Sequence, residues 1–295
     1  MNIDSRKTSE NPFINFKARS LMLWAFLISI ILGFVVRLVS ELVTINPNEP
    51  IYSLIIYNLT FILLCCWTIE RLSRLRIKVD YLIGHLPSNY RWLPTLGIVI
   101  TILLFSLGSG QLLFYVLSFV SPEWVESILS DQIFLSGSDN FAIILNNILT
   151  VITVVLVAPV TEELLFRGIL LHRWTAKWGI TPALLLSSLL FGILHPNIIG
   201  LFVFGLMMAL LYLKTRTLIV PIVCHSLNNL AAVGIGLVSN ETGTTGNADI
   251  LEQLHSYWSV GIIYITLSAP WLIYFIYKNW PNPSFRLPYS TNAEQ

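Results

Sequence analysis

The sequence is poor in charge. Of its 295 residues only 11% are Asp, Glu, Lys or Arg, against roughly 25% in a soluble domain. Hydrophobic residues make up 55%, more than a larger core would account for, so the expected surroundings are mostly lipid. The net charge of +1 leaves no basic or acidic field that would recruit nucleic acid. Cysteine is scarce. Cys65, Cys66 and Cys224 all lie in apolar runs, without the spacing of a zinc knuckle or the setting of a disulfide framework, and they read as small buried hydrophobes. Neither G-x-S-x-G nor H-E-x-x-H occurs, which excludes a serine-hydrolase elbow and a standard zinc-protease helix. There is no repeat of fixed period and no low-complexity tract.

What is abundant is long apolar segments. They run over residues 21–43, 51–69, 92–120, 141–160, 181–195, 198–213, 217–238 and 257–277. Crossing the hydrocarbon core takes about 20 apolar residues, so the fifth and sixth are short. The first is too long for a cleavable signal core and has no small-x-small site after it. Basic residues are missing from the connecting stretches 44–50, 121–140 and 239–256, which carry Glu49, Glu123, Glu126, Asp131, Asp139, Glu241, Asp249 and Glu252 instead. All the basic residues except Arg37 fall on alternate sides of the proposed spans. The positive-inside rule then predicts an all-α, polytopic bundle of about eight transmembrane helices, with both termini cytoplasmic. Arg37 lies inside the first span, four residues before Glu41, and is expected to pair with it and snorkel outward. "SPEWVESIL" suggests a short amphipathic helix on the outer side, and the first 15 to 20 residues and the tail after Trp280 read as frayed ends.

Four stretches resist an explanation as plain spans, because polar groups within a membrane need a partner or a cavity. In "VAPVTEELLFRGILLH", Glu163 and Arg167 stand four apart, the spacing of a helical ion pair. Glu162 then points about 100° away and is left over. In "SSLLFGILHP", His195 ends a segment too short for a comfortable crossing, which predicts a hairpin turning within the membrane with Phe191 packed one turn before it. In "PIVCHSLNN", His225 and Asn229 share one helix face. In "GSGQ", residues 108–111, small residues permit close packing and Gln111 can bond across helices.

One spare carboxylate, two imidazoles and an amide suit hydrolysis. A carboxylate takes a proton from water, an imidazole orients the water or protonates the leaving amine, and N–H donors hold an oxyanion. The same set could hold zinc through Glu162, His195 and His225. Charge and spacing leave these alternatives open.

The three motifs together resemble the type II CAAX prenyl protease and bacteriocin-processing family, also called Abi or CPBP. "EELLFR" is similar to its E-E-x-x-x-R motif, "FGILH" to F-x-x-x-H and "HSLNN" to H-x-x-x-N, over roughly residues 140–235. The first 120 residues match only as membrane spans. The resemblance implies an eight-helix intramembrane endopeptidase. It carries over Glu162 as water-activating base, Glu163 and Arg167 as supporting pair, His195 as partner of the base, and His225 and Asn229 as oxyanion ligands. It implies a membrane-associated or lipidated peptide or protein as substrate, with the lipid bilayer and no nucleic acid as the other surroundings. The family has been described both as metalloproteases and as metal-free glutamate enzymes; no cofactor is favoured here, with a divalent metal such as zinc as the alternative.

The chain therefore reads as an N-terminal tail (1–20), N-terminal membrane helices (21–120), a catalytic core (140–238), a last membrane helix (257–277) and a C-terminal tail (278–295). The expected setting is the plasma membrane of a prokaryote. A non-proteolytic scaffold or bacteriocin-immunity protein on the same fold is the first alternative. A proton-coupled transporter is the second.

Overall fold

The structure is a computed structural model, and it describes residues 11–43, 50–130, 134, 141–241 and 250–294. The expected N-terminal residues 1–10, with Arg6 and Lys7, and the acidic residues Glu49, Asp131, Asp139 and Asp249 lie outside the described residues. The described chain is helical, with no strand. We number eight long helices: α1 (Ala18–Val43), α2 (Pro50–Arg74), α3 (Trp92–Ser118), α4 (Phe141–Trp178), α5 (Ile180–Ile193), α6 (Ile198–Thr215), α7 (Ile219–Glu241) and α8 (Trp258–Asn279). Seven are long and apolar enough to cross a membrane; α5 is not. Its 14 residues span about 21 Å at about 1.5 Å per residue.

The hairpin between α5 and α6 turns early for a local reason. Asn197 caps α6 by accepting from Gly200 N at 3.0 Å, and its amide donates to Ser106 O at 2.7 Å, midway along α3. The tip is thus fastened inside the bundle. Gly192 lets the two arms meet: a Cβ there would stand 2.7 Å from Ile198 O and 2.9 Å from Phe202 N, both backbone.

The core centres on α6, which packs against α3, α5, α7 and α8 and buries Phe204, Met207, Met208, Leu210 and Leu211. α3 lies along α8, where Gly108 and Gly261 allow backbone approach, and Gln111 Nε2 reaches Leu254 O at 3.5 Å. α1 leans on α2, and α2 meets α4. The amphipathic stretch forms a helix, Pro122–Ser130, with Val125 buried beside Phe114 and Leu254. Cys224 is buried, but Cys66 faces outward on α2.

The two ends are not frayed over the described residues. Phe13 and Phe16 are buried, and a C-terminal turn, Pro288–Asn292, docks beside them. Tyr289 sits edge-on to Phe13 (5.2 Å between centroids), and Asn292 Nδ2 donates to Tyr81 O and Arg216 O, both at 2.9 Å. Aromatic residues near both ends supplied enough apolar surface to outweigh the entropy of ordering them.

Candidate active site

α4 carries the two glutamates, and its backbone departs from the α pattern on both sides of them. Thr153–Val157 and Leu164–Leu170 are π-helical, with Ala158–Glu163 as a short α turn between. The first π turn follows from sequence. Ala158 N–H reaches back five residues to Thr153 O. The next carbonyl, Val154 O, would be met by residue 159, a proline without an N–H. Asn229 Nδ2 donates to it instead, at 2.9 Å. The proline thus frees a carbonyl that ties α4 to α7. π turns inside α-helices are frequent at functional sites.

Glu163 is fully buried and holds two partners on one oxygen. Its Oε1 accepts from Arg167 Nη1 at 2.7 Å and from His225 Nδ1 at 2.9 Å. Arg167, 2% exposed, donates its other arm to Gly205 O at 2.9 Å and lies over the Phe191 ring at 4.7 Å. The expected ion pair is present, with two additions: a helix-to-helix bond to α6 and an imidazole from α7.

Glu162 points elsewhere, as helical geometry requires. Tyr57 Oη of α2 donates to Glu162 Oε1 at 3.3 Å. Glu162 Oε2 is buried without a hydrogen-bond partner among the described residues and stands 3.9 Å from His225 Nε2. The Glu163 contact makes His225 Nδ1 an N–H donor, so His225 Nε2 is the nitrogen that faces Glu162. Phe204 and Phe191 wall this imidazole, with ring centroids 4.8 and 5.9 Å away.

His195 is half-buried at the hairpin tip. Its Nδ1 donates to Phe191 O at 2.7 Å, which leaves Nε2 as the nitrogen free to meet another group. Its ring lies 4.7 Å from that of Phe191. Phe191 therefore touches His195, His225 and Arg167, and is the shared wall of the three. No ion pair joins His195 to either glutamate among the described residues.

Zinc fits this arrangement poorly. A catalytic zinc needs three protein donors around one point. Among the described residues no three His, Cys, Asp or Glu side chains converge in that way. Of the candidates, Glu162 and His225 face each other, while His195 and His225 each contact the Phe191 ring.

Sequence reading missed what α2 contributes. Tyr57 contacts Glu162, and Asn58 Nδ2 donates to Thr153 Oγ1 at 2.7 Å, bracing the first π turn. The signal was an adjacent Tyr–Asn pair within the apolar run "IIYNLTF". The two π turns left no periodic trace beyond the proline.

The match to a known family falls on this same region. Residues 144–231 match the family model described as type II CAAX prenyl endopeptidase Rce1-like. That range holds all of Glu162, Glu163, Arg167, Phe191, His195, His225 and Asn229. The chain is 34% identical over 88 residues to the "Putative membrane peptidase YdiL" of Bacillus subtilis, covering 29% of this chain and 36% of that one. It is 31% identical over 99 residues to the "Uncharacterized 24.3 kDa protein" of Escherichia coli, covering 31% and 44%. The chain thus spans less than half the length of these curated relatives. No solved structure matches.

Proposed function

We infer, from the Rce1-like match over residues 144–231 and from the pocket around Glu162, that the protein is an intramembrane endopeptidase. The supporting observation is Glu162 Oε2: a buried carboxylate oxygen without a hydrogen-bond partner among the described residues, 3.9 Å from an imidazole nitrogen. That separation is too long for a direct bond and can be bridged by one water.

In this reading Glu162 takes a proton from the bridging water as its oxygen attacks the peptide carbonyl. The oxyanion then accepts from His225 Nε2–H and from the second Asn229 N–H, the first being engaged with Val154 O. His225 must be doubly protonated for this. With Glu163 beside it, the four charges Glu162, Glu163, Arg167 and His225 then sum to zero, which suits a site away from water. Glu162 then passes that proton on to the leaving amine as the C–N bond breaks, and His195, whose free nitrogen is Nε2, is the partner of the base that the family resemblance assigns. Tyr57 holds the other oxygen of Glu162 and so aims Oε2 at the water. The substrate is a membrane-associated or lipidated peptide.

Cells carrying wild type or Glu162→Ala, compared by proteomics of C-termini and membrane peptides, test this. Cleavage products present only with wild type are expected; identical peptide profiles would defeat the reading. Both termini are assigned to the cytoplasm of a prokaryotic plasma membrane. Reporter fusions at residues 80 and 290 should read inside, and at 130 and 245 outside; an inside signal at 245 breaks that assignment.

A further inference from the structure

A groove at the end of the bundle opposite the Pro122–Ser130 helix gathers positive charge without an acid. Lys17 and Arg19 at the start of α1 face Arg173 and Lys177 near the end of α4, with Trp174 and Trp178 completing the wall of a groove of about 550 Å³. The sequence brings these segments together through aromatic anchors. Phe13 packs on His172 with centroids 4.8 Å apart, and Phe16 meets Trp67 edge-on at 6.3 Å. The chain entering α1 is therefore held alongside the last turns of α4.

Four cations in one groove repel one another, and Arg173 and Lys177 do so at helical spacing. None of the four has an ion-pair partner among the described residues. One guanidinium nitrogen, Arg173 Nη1, is buried without an acceptor among the described residues. A buried N–H in that state is costly unless a ligand oxygen meets it.

The rest of the groove is suited to lipid. Trp174 and Trp178 pack at 6.0 Å, and indoles favour the boundary between headgroups and acyl chains. From the groove, α1 continues with Leu23, Phe26 and Ile30 exposed, an apolar track on which chains can lie. We propose that this groove binds the headgroup of an anionic phospholipid. Its phosphodiester oxygens accept from Arg173 and its three cationic neighbours, and its acyl chains run along α1. A free phosphate would answer the charge but leave the track unused.

The test uses the purified full-length protein in detergent, offered equimolar phosphatidylglycerol and phosphatidylcholine and read by native mass spectrometry. Wild type should retain phosphatidylglycerol in preference by about tenfold or more, since each basic residue near an anionic headgroup contributes about fivefold and four line the groove. Arg173→Gln/Lys177→Gln should lose most of that preference, and Arg91→Gln/Lys214→Gln, outside the groove, should keep it. Lys17→Gln/Arg19→Gln repeats the test on the other wall if the first pair fails to insert. Equal retention of the two lipids by wild type, or unchanged preference in the groove variants, would overturn the proposal. Displacement of phosphatidylglycerol by equimolar inorganic phosphate would overturn a lipid as the occupant.

Discussion

Two ion pairs of the same spacing sit in two regions of this molecule and do different work. Arg37 and Glu41 stand four apart on α1, 3.6 Å between charged atoms, with side chains 77% and 67% exposed. Glu163 and Arg167 stand four apart on α4, at 2.7 Å, with side chains 0% and 2% exposed. α1 rests on α2 alone among the long helices it contacts closely, so its pair meets whatever surrounds the bundle. α4 is enclosed by α5, α6 and α7, so its pair recruits Gly205 O, His225 and the Phe191 ring. The spacing makes a pair possible. Enclosure makes it a junction, because a charge removed from solvent must find every partner inside the protein.

The largest expected effect is chemical. Glu162→Gln keeps shape and the Tyr57 contact but removes the base, so cleavage of an identified substrate should fall by about 10²–10⁴-fold with little change in melting. Undiminished cleavage would separate Glu162 from the chemistry.

Next comes the comparison of the two pairs. Glu163→Gln leaves Arg167 and His225 buried beside a neutral group, and should destabilise by about 3–5 kcal/mol. Arg37→Gln should change stability by about 0–1 kcal/mol. Melting curves in one detergent read both, and similar losses would mean that enclosure does not set the difference. Arg167→Lys sharpens the point: charge is kept, but one ammonium cannot grip Glu163 and Gly205 O in the planar two-armed geometry. Its melting temperature should fall toward that of Glu163→Gln, while some activity remains in both.

A backbone version of the contrast uses two helical glycines. Gly192→Val drives a side chain into Ile198 O and the Phe202 backbone, and should cost about 1–3 kcal/mol or prevent assembly. A Cβ on Gly33 of α1 would meet nothing within 4 Å, and Gly33→Val should stay within about 0.5 kcal/mol.

The smallest effect lies at the C-terminal tail. Hydrogen bonds from Arg286 hold the exposed Glu294 carboxyl below its ordinary value. A depressed carboxyl favours the docked tail above the ordinary carboxylate range and loses that contribution as pH falls through it. Limited proteolysis should therefore clip the tail faster below about pH 4, where carboxylates protonate. Arg286→Ala should remove most of that pH dependence; a profile like wild type would assign it to other groups.

Much of the architecture was legible because lipid imposes a simple code. Low charge and long apolar runs implied an all-helical membrane bundle, and the helical offset between Glu162 and Glu163 gave them different partners before any fold was known. A short fifth segment pointed to a hairpin tip at His195, where Asn197 is indeed fastened to mid-α3; the sixth, expected to be short as well, forms an 18-residue helix long enough to cross. The motif spacing marked Glu163–Arg167 as a pair and His225–Asn229 as one face. Those features are local: they depend on residues within a turn or two of each other.

What only the tertiary structure decided is non-local. Apolar residues read alike whether they face lipid or protein, so nothing in the runs told α1, with no buried residue in its spanning window, from α6, with 61% of its window buried. Tyr57 and Asn58 went unnoticed within an apolar span, and acquire roles only because α2 comes to rest against α4. The tails looked free until Phe13 and Tyr289 met. A proline announces a missing N–H, but that Asn229, far along the chain, would take the carbonyl it frees depends on how α7 crosses α4. Sequence sets which groups need partners; packing, through the distances it closes between helices remote in the chain, decides which partners they get.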